Sequence, residues 1–204
     1  MKTKFSAAAL TAALVLATAT LAWAVKVGME APSFTGIASN GQQISLAQYR
    51  GKFVVLEWHN QGCPYVRKQY ESGNMEALQR KWTAKNVVWL SVISSAPGHQ
   101  GYVTAAQENE YLQTMKASPT AVLLDPTGTI GHLYDAKTTP NMFVIDPAGK
   151  LIYEGAIDDH PTTDLADIKG SKNYVDAALT EAMAGQPVAT PVTRPYGCSV
   201  KYGD

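Results

Sequence analysis

The chain has 204 residues, 17 Lys+Arg against 17 Asp+Glu and 46% hydrophobic residues; that length suits one domain, and that apolar fraction excludes wholesale disorder. The balanced charge argues against nucleic-acid or anionic-membrane partners, which need a basic excess. Two cysteines are too few for a disulfide scaffold or a four-cysteine zinc site, yet enough for one disulfide or one reactive pair.

Taken in chain order, Lys2 and Lys4 precede an uncharged Ala/Leu/Thr-rich run over residues 5–21, and Ala22-Trp23-Ala24 supplies a small-x-small cleavage pattern. Residues 1–24 are expected to be a signal peptide. An uncleaved anchor is the alternative, but the run lies at the lower edge of spanning length, so no stable membrane anchor is expected. Removing Lys2 and Lys4 leaves 15 of the 17 Lys+Arg, and the expected compartment is the periplasm, where paired cysteines persist.

Residues 34–46 read as a β-hairpin around Asn40-Gly41, both placed to supply positive φ. Residues 52–58 (Lys-Phe-Val-Val-Leu-Glu-Trp) are nearly all apolar, as in a central strand buried on both faces. The polar turn Asn60-Gln61-Gly62 leads to Cys63, and Pro64 suits the first position of a helix. That helix runs to about Lys85 with a break at Ser72-Gly73-Asn74. A second buried-type strand follows over 86–94, then a loop at 96–101 and a polar-faced helix at 104–116. Three further strands are expected at 121–124, 142–145 and 151–157. The pattern Pro119-x-x-x-Leu-Leu-Asp-Pro-Thr-Gly128 is echoed by Pro140-x-x-x-Val-Ile-Asp-Pro-Ala-Gly149, which reads as two strand ends sharing one turn chemistry. The last helix is expected at 171–184, with Ser171 as N-cap and Gly185 as its stop. Residues 186–204 form an extended tail carrying Pro187, Pro191, Pro195 and Cys198. This alternation predicts an α/β domain over residues 25–185 with helices on both faces of a central sheet.

The chemistry centres on Cys63, which ends a strand-to-helix turn. There the free N–H groups and the positive dipole end of a helix favour a thiolate, against the commoner fate of a buried, inert cysteine. Arg67 and Lys68, one turn further on, add positive charge, and Arg67 is a candidate substrate contact. The histidines His59, His99, His132 and His160 form no ligand-like spacing, and no Gly-x-Gly-x-x-Gly, Walker loop or Gly-x-Ser-x-Gly occurs. Neither a metal nor a cofactor is expected.

Residues 54–66, the Thr138-Thr139-Pro140 turn and the order of elements resemble the thioredoxin fold. Within it the chain is similar to peroxiredoxin-like redoxins of the alkyl hydroperoxide reductase/thiol-specific antioxidant group, in particular exported members with a Gly-Cys-Pro motif and a terminal Tyr-Gly-Cys-Ser-Val-Lys. The resemblance implies a three-layer α/β/α sandwich with a mixed sheet and an N-terminal hairpin. It also implies that Cys63 is the attacking cysteine, that Pro140 is a cis-proline facing it, and that the backbone of Thr139 binds an extended thiol substrate. Glu57 matches a buried proton-moving acid; a solvent-facing strand glutamate is the other reading. Two departures stand out. Val66 replaces the second cysteine of Cys-x-x-Cys, and Leu56 and Asn60 replace the Pro and Thr/Ser of the peroxidatic Pro-x-x-x-Thr/Ser-x-x-Cys signature.

Cys198 is the one possible intramolecular partner of Cys63. It is either a resolving thiol or half of a permanent staple, whose closure of a 135-residue loop (198 − 63) contributes about 4–5 kcal/mol in a chain-entropy model. The implied function is an exported thiol-dependent oxidoreductase that exchanges disulfides or reduces hydroperoxides. Its expected partners are a thiol or disulfide protein, or a small hydroperoxide, and an external thiol reductant. A non-catalytic binding module with a structural disulfide, and a metallochaperone, are the alternatives.

Overall fold

The structure, a computed structural model, describes residues 25–203; the expected signal peptide lies outside the described residues. In chain order the elements are β1 (Thr35–Ala38), β2 (Gln43–Ser45), β3 (Val54–Trp58), α1 (Pro64–Glu71), α2 (Asn74–Thr83), β4 (Val88–Ile93) and α3 (Ala105–Met115). There follow β5 (Ala121–Leu124), α4 (Thr129–Tyr134), β6 (Thr138–Thr139), β7 (Asn141–Ile145), β8 (Leu151–Gly155), α5 (Tyr174–Met183) and β9 (Cys198–Ser199). Seven strands form one sheet in the order β2-β1-β5-β4-β3-β7-β8, and β6 pairs with β9 apart from it. The sheet is mixed: β3, β4 and β5 run parallel, while β7 and β8 are antiparallel to their neighbours.

Because successive strand residues point to opposite faces, β3 divides itself between two cores. Val54, Leu56 and Trp58 enter a cluster with Leu90, Phe143 and the α4 residues Ile130 and Tyr134. Val55 faces the other way, toward Val66 of α1, Met75 and Trp82 of α2, and Val175 and Leu179 of α5. Every residue of β3 and β4 is buried. Helices therefore cover both faces, giving the three layers that the resemblance implies.

Local chemistry explains most element ends. The helix after Pro64 breaks at Gly73, whose φ of 77° is left-handed. In the hairpin, by contrast, Gly41 alone takes a positive φ, at 82°. Asn40 instead accepts the Gln42 N–H on its side chain at 3.0 Å. The N-cap of α5 is Asn173, whose side chain accepts the Asp176 N–H at 2.8 Å. The expected cap, Ser171, is spent on the preceding 3-10 turn, where its hydroxyl donates to the Ile168 carbonyl. The two echoed turns do share their closure, with Gly128 N–H to Asp125 O and Gly149 N–H to Asp146 O both at 2.9 Å. They diverge at the aspartate. Asp125 accepts the N–H groups of Ile130 and Gly131 and so starts α4, a helix the periodicity does not announce, whereas Asp146 accepts the Lys150 N–H and sends the chain into β8.

Candidate active site

Cys63 is the N-cap of α1, with Pro64 at the first helical position. Asn60 builds the turn before it: its carbonyl accepts the Cys63 N–H at 3.0 Å, and its side chain accepts the Gly62 N–H at 2.9 Å. The thiol is completely buried and donates to the Thr139 carbonyl at 3.0 Å. The Thr139–Pro140 peptide is cis.

The tail returns to this spot. β9 pairs antiparallel with β6, setting Cys198 opposite Thr139 and Ser199 opposite Thr138. Beyond it, Val200 N–H reaches the Lys137 carbonyl, Ala96 N–H reaches the Lys201 carbonyl, and Tyr202 stacks on His132 at 4.0 Å. Upstream, Thr193 N–H donates to the Glu154 carbonyl and Glu154 N–H to the Pro191 carbonyl. The pairing sets Cys198 beside Cys63, and both cysteines are free. Burial pushes the Cys63 thiol up, but the Cys198 thiol, Thr139 and the N–H groups of Val66 and Cys198 outweigh it and hold the pKa below its ordinary value. Cys198 moves the other way, to about 11, through burial and its bond to Cys63. Of the two thiols, Cys63 is thus the more acidic.

Glu57 is fully buried, so the solvent-facing alternative is excluded. Its carboxylate accepts from Tyr70 Oη at 2.8 Å, Trp89 Nε1 at 2.7 Å and Ser91 Oγ at 2.9 Å. His59 lies between two acids, with Nδ1 3.6 Å from Glu57 and Nε2 3.8 Å from Glu108. Burial disfavours the charged forms of both Glu57 and His59. Even so, their attraction and the donors around Glu57 hold its pKa below the usual carboxylate value, while Glu108 and Glu57 raise that of His59. The Cys63 charge also favours the protonated His59 ring.

The structure therefore brings Cys63, Cys198, Thr139 and Pro140 together, with Glu57 one layer below. Arg67 is not among them: it is exposed and pairs with Glu71 at 2.6 Å along α1. The neighbouring Lys68 is the buried cation, 3.6 Å from Asp158. Sequence reasoning named Lys68 only as positive charge near Cys63 and His59 only as a histidine without ligand-like spacing, and it missed Asp158. Among the described residues, no group of three or more His, Cys, Asp and Glu side chains is arranged to hold a metal ion.

Comparison with known proteins agrees with this geometry. A family model described as AhpC/TSA family matches residues 27–154. Thiol-disulfide oxidoreductase ResA of Bacillus thuringiensis subsp. konkukian is 28% identical over 130 residues, covering 64% of this chain and 69% of that protein. Among solved structures, an uncharacterized conserved protein from Geobacillus kaustophilus superposes with a TM-score of 0.73 at 22% identity, covering 87% of this chain and 93% of that one. The thioredoxin domain of a thiol-disulfide oxidoreductase from Bacteroides vulgatus gives 0.52 at 21% identity, over 72% and 97% of the two chains. The fold is thioredoxin-like.

Proposed function

Since the chain belongs to the AhpC/TSA family, with a thioredoxin-like frame around two neighbouring thiols, we propose that it is an exported thiol–disulfide oxidoreductase with Cys63 as nucleophile and Cys198 as resolving thiol. One observation carries this reading: the Thr139–Cys198 pairing sets the second thiol against the first at the mouth of a helix. Val66 cannot serve as the resolving group, and the tail supplies one from 135 residues away (198 − 63).

In the reductive direction the Cys63 thiolate attacks one sulfur of a substrate disulfide. That S–S bond breaks, and the leaving thiolate departs with the electron pair and takes up a proton. Cys198 then loses its proton and attacks the Cys63 sulfur of the mixed disulfide. The second substrate thiol leaves, and the Cys63–Cys198 disulfide forms. The substrate gains two electrons and two protons, and an external dithiol restores the enzyme by the reverse exchange. Glu57 and His59 are proposed to pass the proton from the buried side. Thr139 and Pro140 are the proposed backbone cradle for the substrate segment, with the periplasm as the compartment.

Hydroperoxide reduction has less support. Asn60 stands where the peroxidatic signature has Thr/Ser, and its side chain is already bonded to Gly62 and Gln100.

The test is a redox titration against glutathione or dithiothreitol, with turnover of Cys63→Ser and Cys198→Ser. A catalytic pair is expected between roughly −120 and −270 mV, with turnover lost in Cys63→Ser and strongly reduced in Cys198→Ser. A potential below about −300 mV, with full activity in either variant, would leave only a structural staple.

A further inference from the structure

Two residues before Cys198, Tyr196 packs its ring against the core cluster that holds Cys63 and turns its hydroxyl to a buried charged pair. Its ring meets that of Tyr65 with centroids 5.8 Å apart, and Lys68 Nζ lies 5.6 Å from its centroid. Its hydroxyl donates to Asp158 Oδ1. Asp158 and Lys68 are each 1% exposed and pair at 3.6 Å. Gln69 Nε2 and the His160 N–H also donate to the Asp158 carboxylate, at 2.6 and 2.9 Å, while Lys68 donates to the His160 carbonyl at 2.7 Å. Burying such a pair is expensive, and apolar residues of similar volume would stabilise a fold as well or better. Here the pair adjoins the reactive thiol through α1, which carries Tyr65, Lys68 and Gln69.

The residue between is constrained as well. Gly197 has φ 134°, and a Cβ there would overlap the Thr139 carbonyl. The tail therefore brings an aromatic hydroxyl, a glycine and a cysteine in succession up to the pairing of Cys198 with Thr139. Tyr196 and Cys198 both pack against the core cluster that includes Cys63, and side-chain pockets beside a strand edge are how strand addition selects a segment. An outside cysteine has to reach a sulfur that this same segment covers, along the one strand edge, Thr138–Thr139, that β9 occupies. An incoming segment must replace β9 and so inherits its pockets. A cleft of about 590 Å³ beside Tyr196, lined by Thr138, Asp158, Tyr174 and Arg194, leaves room for the chain leading into it.

We propose that Tyr65, Lys68 and Asp158 form a specificity subsite for protein substrates that carry a tyrosine two positions before their cysteine, with glycine between, and that Tyr196 fills this subsite in the resting enzyme. The proposal rests on the thiol-exchange reading above and adds a substrate class to it.

The probes are acetylated, amidated Tyr-Gly-Cys, Phe-Gly-Cys and Ala-Gly-Cys, each bearing thionitrobenzoate on its cysteine. The protein is the full chain carrying Cys198→Ser. The Cys63 thiolate attacks the peptide sulfur, the peptide–thionitrobenzoate bond breaks, and coloured thionitrobenzoate leaves with the electron pair. With no second protein thiol, the peptide stays attached. The tyrosine peptide is expected to react at least tenfold faster than the alanine peptide, with phenylalanine between them because it lacks the hydroxyl for Asp158. Adding Tyr196→Ala is expected to raise all three rates at least fivefold by removing the competing ring. Equal rates for the three peptides, while 5,5′-dithiobis(2-nitrobenzoate) still reacts at Cys63, would show that the pocket only anchors the tail; that overturns the subsite and leaves thiol exchange standing. No release from any peptide or from that small disulfide would overturn both. If Tyr196→Ala does not fold, the three-peptide comparison in the single variant still decides.

Discussion

A thiol with no solvent exposure attacks only if something favours its thiolate, and the Cys198 thiol, the Thr139 side chain and two backbone N–H groups do so for Cys63. Its iodoacetamide alkylation, followed by mass spectrometry against pH, is expected to have a midpoint below the ordinary thiol value of about 8.5. Cys198→Ala, which removes one donor, is expected to move that midpoint up. The His59–Glu57 pair gives a second prediction, for stability. The raised His59 pKa contributes stability that is complete below its unfolded value of about 6.5 and is lost as pH rises through the folded value. The depressed Glu57 pKa contributes stability present above about 4.3 and lost as pH falls through its folded value. Between those folded values the pair is intact, and His59→Gln, which strands a buried charge, is expected to cost about 3–5 kcal/mol in urea unfolding at pH 6. Cys63, Cys198 and Thr139 were legible in the sequence because a rare nucleophile beside a helix start and a Thr-Thr-Pro turn narrow the choices. Lys68 was not: within Arg-Lys-Gln one basic residue looks like another, and only the fold buries the second while exposing the first.

Elements were readable where their period was clean and lost where they were short. β3 and β4 announce themselves as unbroken apolar runs, and their burial on both faces follows. The same uniformity conceals which face Glu57 takes, since apolar neighbours on both sides leave no alternation to read. α4 has only six residues, too few for a helical repeat to stand out, and depends on one aspartate cap. Leu56, fully buried at the centre of β3, should lose about 2–5 kcal/mol on replacement by alanine, measured by denaturant unfolding. The α5 start offers a finer test: Asn173→Ala is expected to cost about 1 kcal/mol. Ser171→Ala, outside the cap, should stay within about 0.5 kcal/mol.

At the scale of the molecule, the layered sheet followed from the order of strands and helices, whereas the return of the tail did not. Three prolines say that residues 186–204 are extended, but not where they go; the destination is set by β6, by the Tyr196 pocket and by the stacking of Tyr202 on His132. Intact-mass measurement of the exported protein is expected to show Val25 at its start, and a mass that includes Met1 on membrane-bound material would favour the anchor. The pairing of β9 with Thr139 also imposes an order in time. Where translocation keeps pace with synthesis at about 5–20 residues per second, Cys63 enters an oxidising compartment about 7–27 s before Cys198 follows. For that interval the nascent sulfur has no intramolecular partner. Any disulfide it forms then is with another molecule, and under the proposed function the arriving Cys198 would have to resolve that adduct before a first cycle.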